Sequence, residues 1–181
     1  MPVPLRPMRT RQVELEDAPA LLAIYNPEVI ETTVTFDLVP RTLAEQEEWI
    51  RIHQGTHPAL VAINDEDQVG EPGARGELVV GFSVVSPFRE RPAYYTTVEN
   101  SVYVHREVRG RGVGELLMRD LLVTAKEMGF HSLIARIVGE NHGSIRLHEK
   151  VGFTLVGTEI EVGRKHGVWL DVVEYQYVME S

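Results

Sequence analysis

The residues best able to do chemistry lie in two short runs and one strand. The first run is a glycine-rich turn, Arg109-Gly110-Arg111-Gly112-Val113-Gly114, set between an apolar stretch (Val102, Tyr103, Val104) and a helical pattern. Backbone N–H groups in such a turn, followed by a helix N-terminus, form an anion site. The second run is Asn141 to Phe153. There Ser144 and His148 stand at i, i+4 on one face of a short helix that Asn141 caps. Just before the turn, Glu99 sits inside a strand-like run, AYYTTVENSVYV, where glutamate is disfavoured. A carboxylate there is either an outward-facing edge residue or a general base, and partial burial would raise its pKa toward working pH.

Several familiar chemistries are excluded. A Walker A loop needs Lys-Ser/Thr after its last glycine, and Glu115-Leu116 follows here. A dinucleotide fingerprint needs a third glycine where Leu117 stands, and an acidic residue in the next strand, which has none. Ser144 lacks the strained elbow of a serine nucleophile. His53 and His57 have metal-like spacing, but Gly55 and Pro58 break the helix that would align them, so no metal site is expected. The chain has no cysteine, which removes disulfides, thiolate ligands and a cysteine acyl-enzyme.

The chain has 181 residues, 43% hydrophobic and 25% charged, so one domain spanning 1–181 is expected. Its net charge of -9 and lack of basic runs argue against nucleic-acid binding. No stretch reaches membrane-spanning length and no signal-peptide pattern is visible, so a cytoplasmic location is expected. Strands are expected at Met8 to Val13, Ala59 to Ile63, Leu78 to Val85 and Ala93 to Val104, the last with a β-bulge where its alternation fails. Further strands are expected at Ser132 to Val138, Thr154 to Val162 and Val168 to Met179, with Gly163 to Gly167 as a turn. A helix from Glu16 is expected to stop at Asn26-Pro27, and a second to open at Thr42, where Glu45 completes a capping box. The third helix follows the glycine turn and ends at Gly129. Asn64 to Gly76 reads as an exposed hairpin loop. This order gives an α/β (α+β) fold, a mixed and mostly antiparallel sheet with helices on both faces.

Arg109-x-x-Gly112-x-Gly114 resembles the Arg/Gln-x-x-Gly-x-Gly/Ala loop of the GNAT superfamily of N-acetyltransferases. Asn141-x-x-Ser144-x-x-Leu147-His148-x-x-x-Gly152-Phe153 is similar to that superfamily's second signature, with histidine where tyrosine is usual. The resemblance narrows to the phosphinothricin and methionine sulfoximine N-acetyltransferase branch. It is carried by Tyr25-Asn26, Thr35-Phe36, Trp49, Ala93-Tyr94, Thr97 to Val104, Leu147-His148-Glu149 and Gly163-x-Lys165-x-Gly167-x-Trp169-x-Asp171. The longer loop at Asn64 to Glu77 departs from the pattern.

The resemblance implies acetyl-CoA as co-substrate and direct acetylation of the α-amino group of phosphinothricin, methionine sulfoximine or methionine sulfone. It implies that Val102, Val104, Arg109, Gly110, Arg111, Gly112, Val113, Gly114, Asn141 and Ser144 hold acetyl-CoA, the turn taking its pyrophosphate. Either arginine is otherwise a solvated surface charge, and Asn141 also serves as an N-cap. Glu99 is the expected base. His148 is either an acid or base near the thiolate, or a half-buried histidine satisfied by backbone. For a zwitterionic acceptor, Arg89, Arg91 and Lys165 are candidate anion partners, and Phe36, Tyr94 and Trp169 candidate walls, residues of a type more often core than site. Pairing into homodimers is also implied. Other readings are acetylation of another small amine or a protein N-terminus, or a CoA-binding module without catalysis.

Overall fold

The computed structural model describes residues 8–65 and 69–180. Among the described residues there are eight strands: β1 Met8–Gln12, β2 Ala59–Asn64, β3 Glu71–Pro72, β4 Leu78–Pro87, β5 Thr97–Val104, β6 Ser132–Val138, β7 Thr154–Lys165 and β8 Val168–Val178. The α-helices of the described residues are α1 Ala18–Glu31, α2 Leu43–His53, α3 Val113–Glu127 and α4 His142–Lys150. The sheet runs β1-β2-β4-β5-β6-β8-β7, with β3 beside β4. Every pairing is antiparallel except β5 with β6. This is the expected mixed sheet.

Alternating apolar residues build two cores. Val61, Ile63, Val79, Phe82 and Val84 pack with Leu21, Ile24 and Val29 of α1 and Ile50 of α2. Leu60, Ala62, Val80, Val85 and Val98 pack with Leu117, Met118 and Leu121 of α3, and Ile145 and Leu147 of α4 join them. A period-two pattern with both faces buried therefore sets the layers. The Thr42 capping box forms: Glu45 N–H donates to the threonine hydroxyl at 3.3 Å, and Thr42 N–H donates to the Glu45 carboxylate at 2.7 Å.

Five expectations are corrected. Helix α1 does not stop at Pro27 but runs on to Glu31. Proline removes one helical bond, yet buried Glu28 and Val29 pin the last turn, and Asn26 exchanges two hydrogen bonds with the Arg41 backbone, at 2.9 and 3.0 Å. Strand β5 begins at Thr97, since residues 92–94 form a short 3-10 turn. It carries no bulge, because its ladder with β4 is unbroken from Gly81↔Val104 to Pro87↔Val98. The loop from Asn64 to Gly76, apart from 66–68, which lie outside the described residues, is not simply exposed. Ala74 is buried, and its N–H donates at 2.8 Å to the Asp17 carboxylate, which Arg11 also holds. Finally, β7 continues to Lys165, and the turn tightens to His166-Gly167, both at positive φ as a two-residue hairpin requires.

Candidate active site

The parallel pairing of β5 with β6 covers only Thr97↔Ser132, Val98↔Leu133 and Glu99↔Ile134. Beyond Glu99 the strands part, although β5 runs on to Val104 and β6 to Val138. The parting opens two clefts that meet through the sheet. One, of about 590 Å³, lies on the α3/α4 side; the other, of about 250 Å³, lies on the α1/α2 side. Ser101, Tyr103, Val34 and Arg136 line both. Successive side chains of β5 serve opposite clefts: Asn100 lines only the larger and Glu99 only the smaller.

The larger cleft is built mainly from main chain. His105 N–H donates to Val80 C=O at 2.9 Å, so in the alternating antiparallel ladder Tyr103 and Ser101 bond back to β4. The backbone groups of Val102, and the N–H of Val104, then face the gap left by β6. At the far end, Gly110 and Gly112 have φ of +76° and +88°, backbone that L side chains rarely adopt. Gly112 is the N-cap of α3, and the first intrahelical bond there is Leu116 N–H to Gly112 C=O. The N–H groups of Val113, Gly114 and Glu115 are thus left to an outside acceptor. Gly114 also lets the helix approach Leu147, whose side chain would lie 3.0 Å from an added Cβ. An extended edge that ends in a ring of free N–H groups fits the pantetheine and pyrophosphate of acetyl-CoA.

Of the residues assigned to the cofactor by sequence, Val102, Val104, Arg109, Gly110, Gly112, Val113, Gly114, Asn141 and Ser144 line this cleft, and Arg111 does not. Arg109 lines it in an unexpected way. Its guanidinium donates to Glu28 at 2.9 Å and to the Val104 carbonyl at 3.1 Å. Glu28 is 2% exposed and also pairs with Arg106 at 2.8 Å. A buried carboxylate needs such partners, so Arg109 ties α1 to the glycine loop. Asn141 does cap α4, accepting from Ser144 N–H at 3.2 Å.

His148 is 2% exposed. Its Nδ1 lies 2.8 Å from the Ser144 carbonyl and its Nε2 2.9 Å from the Asn100 amide nitrogen. A carbonyl only accepts, so the proton sits on Nδ1 and Nε2 accepts from Asn100. Burial lowers the histidine pKa, against the opposing carbonyl. His148 is therefore a neutral, satisfied imidazole with no proton on the nitrogen that faces Asn100.

The smaller cleft has different walls. Glu99 lines it with Tyr25, Phe36, Arg41, Trp49 and Ser86. Burial raises the Glu99 pKa; nearby Arg136 acts against this, and Glu174 and Glu159 act with it. Arg41 lies over the Tyr25 ring at 4.4 Å and reaches Asp37 at 3.4 Å. Arg136 pairs with Glu159. Phe36 takes its place because position 163 is glycine: a Cβ there would lie 2.4 Å from the ring.

Arg89, Arg91, Tyr94, Lys165 and Trp169 line neither cleft. Arg89 stacks on Phe88 and Tyr94, at 4.7 and 5.6 Å from the ring centres. Trp169 is 58% exposed on β8, with Arg164 over its ring. Lys165 is buried and donates at 2.8 Å to the Thr35 carbonyl, so it braces the loop that carries Phe36. Burial lowers its pKa, against Asp37 and Glu28. Sequence reasoning missed Arg41, Arg136 and Asn100. Arg41 was legible only as a residue beside a helix cap, Arg136 as a lone charge in an apolar strand, and Asn100 as half of an odd mid-strand pair. His53 spends both ring nitrogens on Trp49 C=O and Ser86 Oγ, at 2.7 and 3.2 Å. No group of three His, Cys, Asp or Glu able to hold a metal occurs among the described residues.

Residues 19–153 match the acetyltransferase (GNAT) family, and the chain belongs to that family. It is 37% identical to a phosphinothricin N-acetyltransferase of Streptomyces coelicolor, over 89% of this chain and 90% of the relative. It is also 37% identical to an L-methionine sulfoximine/L-methionine sulfone acetyltransferase of Pseudomonas paraeruginosa, over 92% and 91% respectively. The crystal structure of a phosphinothricin acetyltransferase from Sinorhizobium meliloti in complex with acetyl-CoA superposes with a TM-score of 0.85 at 32% identity, over 95% of this chain and 88% of that one. The protein is an acetyl-CoA-dependent N-acetyltransferase.

Proposed function

We propose that the chain, acting as one domain, acetylates the α-amino group of a small zwitterionic amino acid of the phosphinothricin, methionine sulfoximine or methionine sulfone type. One observation carries this. A half-buried Glu99 with a raised pKa stands where the two clefts meet, in a cleft that also holds Arg41 and Arg136. Two guanidiniums suit an acceptor with a carboxylate and a second anionic or polar oxygen. Acetyl-CoA supplies the activated acetyl group. Val102, the glycine loop and Asn141 hold it on the larger side. Glu99 takes a proton from the acceptor's ammonium, directly or through water, and leaves the neutral amine aimed through the gap. Phe36 and Trp49 wall the acceptor's side chain.

The apolar side chains Ile160, Val162, Val168 and Trp169, all exposed on the β7–β8 hairpin, support pairing into a homodimer, checked by sedimentation. Dependence on acetyl-CoA supports a cytoplasmic location. The testing experiment is acetyl-CoA turnover with phosphinothricin, methionine sulfone, methionine sulfoximine, lysine, spermidine and a basic peptide. Turnover of the first three is expected. Turnover of only the peptide or spermidine would overturn the acceptor class.

A further inference from the structure

Phe36 lines the smaller cleft from the segment 32–42, which joins α1 to α2 without regular structure. Its near neighbour holds one side of that segment. Tyr25 Oη lies 2.9 Å from the Thr35 hydroxyl and donates at 2.6 Å to the Asp37 carboxylate. The other side is held from 130 positions further along the chain, where Lys165 Nζ donates at 2.8 Å to the Thr35 carbonyl. Gly163 precedes Lys165 by two residues on β7 and so shares its strand face. The three atoms nearest to a Cβ added at Gly163 all belong to the Phe36 ring, two of them at 2.4 Å, well inside van der Waals contact. Gly163 is not among the glycines at positive φ, so an alanine there would disturb the ring and not the backbone.

A local irregularity presents these two contacts. The β7–β8 register shifts between Glu159 and Gly163, Glu161 takes a φ of +51°, and its N–H donates at 2.7 Å to the Asp171 carboxylate. A bulge of this kind re-aims the residues that follow it. Gly163 and Lys165 line neither cleft, so they reach the acceptor only through Thr35 and Phe36. We propose that Gly163 and Lys165 are positioning residues that set the length of acceptor side chain the enzyme takes. Lys165 fixes the segment at Thr35, and the missing Cβ of Gly163 lets the Phe36 ring lie back against β7. The Lys165 ammonium is then spent on the wall and not on an acceptor anion. The inference rests on the acceptor occupying the smaller cleft, as proposed above.

The test reads kcat/KM for methionine sulfone against ethionine sulfone, which is one methylene longer. Gly163→Ala pushes the ring off β7 toward the cleft and should shift the ratio about tenfold against the longer acceptor, the worth of one methylene in a closed pocket, with the KM for acetyl-CoA unmoved. Phe36→Ala should bring the two acceptors closer together. The double variant should match Phe36→Ala alone, because the added Cβ then meets no ring. A ratio unchanged in Gly163→Ala, or a tenfold shift that persists in the Phe36→Ala background, would overturn the proposal. Lys165→Met keeps the side-chain length and removes the donor. It should raise the acceptor KM about tenfold and leave the acetyl-CoA KM as it was, whereas an equal rise in both would refute a positioning role for Lys165. If that variant is poorly folded, the Gly163–Phe36 pair still decides. Should Phe36→Ala alter the use of neither acceptor, the placement of the acceptor in the smaller cleft fails, and this inference with it.

Discussion

The two clefts share one strand and are built from opposite materials. On the larger side, β5 offers backbone and small side chains, and the far end presents a run of N–H groups fixed by two glycines at positive φ. On the smaller side, the same strand offers Glu99, Ser101 and Tyr103, and the walls are aromatic and cationic, drawn from α1, α2, their connecting loop and β6. A cofactor common to many enzymes can be held by main chain, whose geometry survives side-chain change. An acceptor must be distinguished from other amines, and only side chains can do that. The strand's period of two keeps these tasks apart, and the loss of pairing after Glu99 lets them meet.

Substitutions on each side should therefore separate kinetically. Glu99→Gln should lower kcat by about 10²- to 10⁴-fold, the usual worth of a general base, and leave acetyl-CoA affinity unchanged by calorimetry. Equal weakening of acetyl-CoA binding would break the division. Arg41→Leu should raise the KM for the amino-acid acceptor roughly tenfold or more, as expected for a charge-assisted hydrogen bond, with the acetyl-CoA KM unmoved. Gly112→Val should do the reverse. A β-branched residue at φ +88° costs about 1–2 kcal/mol and distorts the loop, so the KM for acetyl-CoA should rise about tenfold while the acceptor KM stays put.

The smallest expected effect is on pH dependence. A base must be ionised, and burial raises Glu99, so the acidic limb of kcat/KM should fall above the ordinary glutamate value of about 4.3. Arg136 is the charge that opposes this rise, so Arg136→Leu should move the limb to still higher pH. A limb that moves down instead would mean that Glu99 is not the group titrating.

The lining of the larger cleft was largely legible because its signals are local. Asn141 caps the helix that follows it, as its type predicts, and Gly112 sits where a turn needs positive φ. Glu99 was legible as an anomaly in a strand. The lining of the smaller cleft was not, and the reason is distance along the chain. Tyr25, Arg41, Trp49 and Arg136 converge on one cleft only after α1 and α2 pack on β2 and β4 and β6 is brought in beyond β5. Arg89, Arg91 and Lys165 looked equally suitable from charge alone, but cation–π stacking and burial under the Phe36 loop give Arg89 and Lys165 other work.

Sequence by itself determined the periodicities that bury both sheet faces, the capping of α2 and α4, and the glycine turn ahead of α3. Each is set by a residue's own backbone preference or by neighbours a few positions away. Tertiary structure alone decided where β5 leaves β6, which arginines reach the smaller cleft, and that Arg109 binds Glu28 rather than standing free for an anion. It also decided that Asn100 locks the proton of His148 on Nδ1. Those outcomes depend on contacts between segments far apart in the chain, where burial and hydrogen-bond partners, and not local propensity, set the energies.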